Sequence, residues 1–197
     1  MKLDQVLNDK IGEFLKPLGF KKKNSTFYKI DDNNFGLVDI QKSKSSSKES
    51  ILFTINLGVC SGAIRNYFDE YSALPEISEC HWQKRIGFLL DQNNDHWWQI
   101  DSVSEIESLM ENLIAVLKER ALPEIDKNLS DNSLLDNWLK GISDGITELD
   151  RYINLTILLK IEKRDEELVK IAEEMRAFAK GKAFESTVRV HLKAIGL

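Results

Sequence analysis

The stretch at residues 14–28, FLKPLGFKKKNSTFY, constrains the fold more than any other, because a helix is stopped and a sheet begun within it. Leu3, Val6, Leu7, Ile11, Phe14 and Leu15 follow helical spacing, and then Pro17 and Gly19 break the pattern. From Phe20 to Asp101 the hydrophobic period is mostly two. It is cleanest where Ile51, Phe53, Ile55, Leu57 and Val59 alternate with Leu52, Thr54, Asn56, Gly58 and Cys60, the mark of a half-buried strand. Residues 26–30, 35–43, 82–90 and 97–101 read the same way, separated by DDNN, KSKSSSKES and DQNND, which are turn and loop compositions. Antiparallel pairing follows.

After the last of these strands the period returns to that of a helix. Ser102 or Ser104 can cap a helix whose stripe of Ile106, Leu109, Met110, Leu113, Val116 and Leu117 runs up to Pro123. Beyond residue 129 the pattern is helical throughout, with breaks near Gly141 and Gly181 and one segment, 146–161, apolar on more than one side. The fold class expected is α+β. An antiparallel sheet of about five strands is flanked by an N-terminal helix and a following helix, and the division expected is an α+β domain at 1–128 and a helical lobe at 129–197.

At 42% apolar content the chain can build a core. The start, MKLDQVLNDK, lacks a signal-peptide apolar run, and no segment approaches a membrane span, so a cytoplasmic protein is expected. The net charge of −5 is unevenly spread. Residues 1–64 carry ten Lys/Arg against seven Asp/Glu, residues 65–128 six against thirteen, and residues 129–197 eleven against twelve. Lys21, Lys22 and Lys23, with Lys42, Lys44 and Lys48, can be read as a phosphate-contacting patch for nucleic acid. A solvated turn is the preferred reading, because the chain is acidic overall and few aromatics interleave with these lysines.

The motif FLKPLGFKKKNSTFY, with the strand ending in IQKSKS and the strand LFTINLGV, resembles an uncharacterised bacterial family known only as a domain of unknown function. The resemblance covers about the first 120 residues. It implies a helix, an antiparallel sheet and a closing helix in a bacterial cytoplasmic protein, and it brings no catalytic residues.

The chemistry on offer is sparse. Cys60 and His81 fall at the same end of the sheet if their strands pair antiparallel, and strand parity then puts both on its polar side. They are the residues an enzymatic alternative, a hydrolase or transferase, would use, although no orienting third group is evident. Otherwise Cys60 is expected to behave as a small hydrophobe and to titrate as an ordinary thiol. A Cys60–Cys80 disulfide is sterically conceivable and disfavoured by a reducing compartment. A hairpin turning at 91–95 would hold His96 far from Cys80 and His81, which excludes a shared zinc ion. His191 lies in an apolar helical stripe and reads as a core or boundary histidine. No metal and no cofactor are expected.

The remaining signal is the second face of the sheet. Parity places Val38, Ile40, Phe53, Ile55, Ile86, Phe88, Trp98 and Ile100 inside. Asp39, Gln41, Thr54, Asn56, Gln83, Arg85, Trp97 and Gln99 then share the opposite face. Amides, one arginine, one acid and an aromatic suit a polar protein partner held by hydrogen bonds around an aromatic anchor. The functional expectation is a non-enzymatic protein interaction module, of which a toxin-neutralising immunity protein is one form. The partner-binding residues expected are Trp97, Arg85, Gln41, Asn56, Gln83, Gln99 and Asp39.

Overall fold

The computed structural model describes residues 2–68 and 74–197. Helix α1 (Leu3–Leu15) buries Leu3, Val6, Leu7, Ile11 and Leu15 along one side. A 3₁₀ turn at Lys16–Leu18, with Pro17 early in it, leads to Gly19 at φ +87°. The Phe20 N–H then donates to the Leu15 carbonyl at 3.3 Å, and the chain turns back as an antiparallel meander.

The meander is β1 (Lys21–Lys23), β2 (Thr26–Asp31), β3 (Asn34–Lys42) and β4 (Ile51–Cys60). DDNN is a turn as expected, with Asp32 and Asn33 both left-handed between paired Asp31 and Asn34. The lysine run is not a turn. It is the edge strand, with Lys21 opposite Tyr28, Lys23 opposite Thr26, and all three lysines exposed. The chain reverses one step later, at Asn24 (φ +57°) and Ser25, and charged lysines on an outer strand hinder further pairing.

After β4, Ser61 caps helix α2 (Gly62–Tyr67) by accepting from the Ile64 N–H at 3.2 Å. Strands β5 (Trp82–Arg85) and β6 (Trp98–Ile100) do not form the expected hairpin. Both add to the same edge of β4, β5 against residues 56–59 and β6 against residues 51–53. The run expected to be a strand to Leu90 leaves the sheet early, as a 3₁₀ turn at Ile86–Leu89. That turn puts Phe88, expected inside, at 49% exposure. Gly87 makes it possible, because a Cβ there would stand 2.2 Å from the Asn94 carbonyl oxygen and 2.5 Å from the His96 nitrogen.

Val38, Ile40, Phe53, Ile55, Ile86 and Ile100 are buried on the inner face, and half-buried Trp98 stacks on Phe53 with ring centroids 5.4 Å apart. Helix α3 (Val103–Val116), capped by Ser102, packs beside α1 over this face. It does not stop before Pro123. It widens into a π turn at Leu117–Ala121 and continues as α4 (Leu122–Asn128) against β3 and β4. Proline lacks an N–H and crowds the carbonyl four residues back, and a π turn is one way to carry such a fault.

Four more helices follow: α5 (Asp131–Leu139), α6 (Glu148–Ile161), α7 (Asp165–Ala179) and α8 (Glu185–Ala194). α6 lies among α2, α5 and α7 and is buried on several sides, as its pattern predicts. On α8, half-buried His191 places Nε2 2.8 Å from the Thr156 hydroxyl, and burial pushes its pKa down. The apolar core runs unbroken from the sheet layer into these helices. Asn34, in the β2–β3 hairpin, ties the parts together. Its Nδ2 donates to the Leu129 carbonyl at 2.8 Å and to Asp131 at 3.1 Å, and its Oδ1 accepts from the Gly62 N–H at 2.8 Å. Among the described residues no helix is long and apolar enough to cross a membrane.

Candidate functional site

α1, α3 and α4 all occupy the inner face, and the outer face of the sheet divides into two ends. At one end lie Asn56 and Arg85, which the register of β4 and β5 sets opposite each other, and Gln41, which pairs with Thr54 and lies diagonal to Asn56. Asn56 Nδ2 donates to Gln41 Oε1 at 2.9 Å, Arg85 Nε donates to Asn56 Oδ1 at 3.2 Å, and Arg85 Nη2 donates to Gln41 Oε1 at 3.2 Å. Arg85 Nη1 meets both carboxylate oxygens of Asp95 at 2.8 Å. The guanidinium stands 5.4 Å from the centre of the Trp97 ring. Arg85, together with a hydrogen bond from Trp97, holds the Asp95 carboxyl below the usual carboxylate range.

The expected residues are therefore partly brought together. Gln41, Asn56, Arg85 and Trp97 form one network. Asp39 sits further along β3, accepting from the Thr26 hydroxyl at 2.8 Å, beside a cleft of about 380 Å³ lined by Lys23, Thr26 and residues 74–78. Gln99 is exposed near Ser50 and Asp101. Gln83 is turned toward Cys80, donating to its carbonyl at 2.9 Å, while its N–H donates to the Asp144 carbonyl at 3.1 Å. Asp95 completes the network and has no signal in the strand pattern, because it lies in the loop that folds over Gly87.

The other end of the outer face is covered. Leu37, Cys60 and Cys80, packed by Tyr28, Phe35 and Ile77, form a small apolar cluster separate from the main core. The 3₁₀ turn at Ile77–Glu79 lies over it. The parity expected for Cys60 and His81 is changed by a β-bulge. His81 N–H donates to the Val59 carbonyl at 2.8 Å although Val59 already pairs with Trp82, so two residues oppose one. The extra residue turns Cys80 onto the outer face, over Gly58 and against Cys60.

His81 remains beside Cys60, but its Nδ1 accepts from the Ser61 N–H at 2.8 Å. A ring nitrogen that accepts carries no hydrogen, so the ring's N–H lies on Nε2. Cys60 does not titrate as an ordinary thiol. Donation from the Cys80 thiol, with smaller help from His81 and Arg65 and against the opposing effect of burial, lowers its pKa to about 6. Cys80 is pushed up by holding that hydrogen bond and by burial. Both cysteines are free thiols. His96 offers its backbone carbonyl to Thr54 at 2.8 Å, about five residues or roughly 17 Å along β4 from the bulge. Among the described residues no group of three His, Cys, Asp or Glu side chains is placed to hold a metal ion.

A family model described as Domain of unknown function (DUF4304) matches residues 11–127, a span that includes the end of α1, the whole sheet and α3. Comparison with curated proteins and with solved structures finds no match.

Proposed function

The chain belongs to the DUF4304 family of domains of unknown function, and from that premise we propose that it is a non-enzymatic protein interaction module working through the open end of its sheet face. The observation that carries this reading is the Gln41–Asn56–Arg85–Asp95–Trp97 network. Its side chains are already held in one arrangement by one another, so a partner would immobilise few free rotors on binding, which is the main saving in a preorganised surface. Trp and Arg are the residue types that most often anchor interfaces. The finer form of the proposal is an immunity-type protein. Residues 65–128, with six basic and thirteen acidic side chains, would speed capture of a basic partner by long-range attraction.

The test uses the immobilised full chain, its Arg85→Ala and Trp97→Ala variants, and native cell extract, followed by affinity measurement on any captured protein. Each substitution is expected to weaken binding by about 2 kcal/mol or more, roughly thirtyfold. The fold should tolerate both, as shown by unchanged far-ultraviolet circular dichroism. Equal affinity for the wild type and both variants would sink the proposal.

A further inference from the structure

We propose that Cys60 and Cys80 are a redox-active dithiol that small hydroperoxides convert reversibly to a disulfide. The bulge at His81 carries the argument. By inserting one residue at the end of the ladder it turns Cys80 onto the outer face, where it packs with Cys60 and Leu37 in one apolar cluster. The Cys80 thiol lies within hydrogen-bond reach of Cys60 Sγ, so the two sulfurs are already neighbours, as a disulfide requires. A second observation points the same way. The side chain of Cys80 lies over Gly58, two residues before Cys60 on the same face of β4, where a Cβ would stand 2.6 Å from its Sγ. Only the missing side chain at position 58 lets this thiol lie flat across the strand toward Cys60.

The two sulfurs have unequal roles. Cys60 Sγ has the Cys80 thiol, the His81 imidazole and the Arg65 guanidinium around it, which favour its thiolate against burial, and it lies 3.5 Å from the Glu79 carbonyl oxygen, to which its thiol donates. Cys80 keeps its proton, and its Sγ lies 3.6 Å from the Glu76 carbonyl oxygen. In the first step the Cys60 thiolate attacks the hydroperoxide, an S–O bond forms, the O–O bond breaks, and the departing alkoxide recovers from solvent the proton that the thiol released. In the second, Cys80 displaces the hydroxyl from the Cys60 sulfenic acid, an S–S bond forms, and its proton leaves with the hydroxyl as water. Two thiols and one hydroperoxide give a disulfide, an alcohol and water, and the peroxide oxygen is the electron acceptor.

Both thiols lie under the short turn at Ile77–Glu79, with Cys60 at 0% and Cys80 at 3% exposure. Reaction with a small oxidant therefore requires that turn to lift. Once formed, the disulfide would fasten the segment lining the Asp39 cleft to the end of β4.

The test treats the full chain with hydrogen peroxide, quenches with a thiol-alkylating reagent and reads intact mass and peptide maps. The wild type is expected to lose two hydrogen atoms, yield a Cys60–Cys80 cross-linked peptide, melt at a higher temperature and revert with dithiothreitol. Cys80→Ala should stop at a Cys60 sulfenic acid trapped by dimedone, and Cys60→Ala should react far more slowly. Irreversible sulfinic or sulfonic products in the wild type with no cross-linked peptide would overturn the proposal. So would disulfides found only between two molecules, or faster oxidation of Cys80 in Cys60→Ala than of Cys60 in Cys80→Ala.

Discussion

The two ends of the outer sheet face lie on the same strands, yet one is dry and the other is wet. Gly58 and Cys60 are buried under Ile77–Glu79, whereas Asn56 and Gln41, one and two steps away on that face, end in a solvent-facing network. Both surfaces come from the same alternation along β3 and β4. What differs is the loop laid over them: the segment before β5 brings Ile77 and Cys80, and the loop before β6 brings Asp95 and Trp97. Strand parity therefore decides which side chains share a face, and the connections decide whether that face becomes core or surface.

The contrast breaks most easily at the covered end. Leu37→Ala, at a site with 0% exposure, is expected to cost about 2–5 kcal/mol in denaturant unfolding, as for other buried leucines. A loss no larger than that of an exposed substitution would mean that the cluster is not packed. Gly58→Ala comes next, because its new Cβ would lie 2.6 Å from Cys80 Sγ and 2.8 Å from Ile77 Cδ1. Overpacking of this kind costs about 1–3 kcal/mol. Combining it with Cys80→Ala should recover part of the loss, and strict additivity in that double-mutant cycle would show that the two sites do not touch.

A pH-dependent difference should follow from the thiols. The folded Cys60 pKa of about 6 lies below its ordinary value of 9.0, so its contribution is present above pH 9 and is lost as pH falls through 6. Cys80 is shifted the other way, and its contribution is lost as pH rises above 9. The wild type should therefore gain stability between pH 6 and 9 relative to Cys60→Ser, read from urea midpoints at each pH. A constant difference across that window would show that no thiolate is stabilised. The smallest effect belongs to the open end. Asp95→Asn removes an exposed partner of Arg85, and such pairs contribute about 0–1 kcal/mol, less at high salt. A larger, salt-independent loss would place this network in the core with the other end.

Much of the architecture was readable because it rests on periodicity. The stop at Pro17 and Gly19, the alternation of β4 and the stripes of α3, α7 and α8 all depend on residues near one another in sequence. What escaped depends on contacts made later in the chain. Lys21–Lys23 look like a solvated turn until Thr26–Tyr28 pair with them, and nothing in Trp82–Leu90 announces that Asn94 and His96 will press on Gly87 and pull the strand into a 3₁₀ turn. Gln41, Asn56, Arg85 and Trp97 could be grouped by parity, whereas Asp95 could not, being a loop residue. Cys60 and Cys80 could be named together as a conceivable, disfavoured disulfide, but their shared face could not be read, because one inserted residue turns Cys80 onto the outer face and a bulge leaves no mark on composition.

The three hydrogen bonds of Asn34 also bear on the order in which the molecule assembles. Its partners are Gly62, 28 residues away, and Leu129 and Asp131, 95 and 97 residues away. Closing the shorter loop costs less chain entropy than closing the longer ones, and during synthesis Gly62 emerges well before Leu129. The amide is thus positioned by the first encounter before the second becomes available. Docking of the last helices is then a late, long-range event that completes a socket already built, and in Asn34→Ala the sheet layer would form on time while the closing of α5 against it would be slowed or weakened.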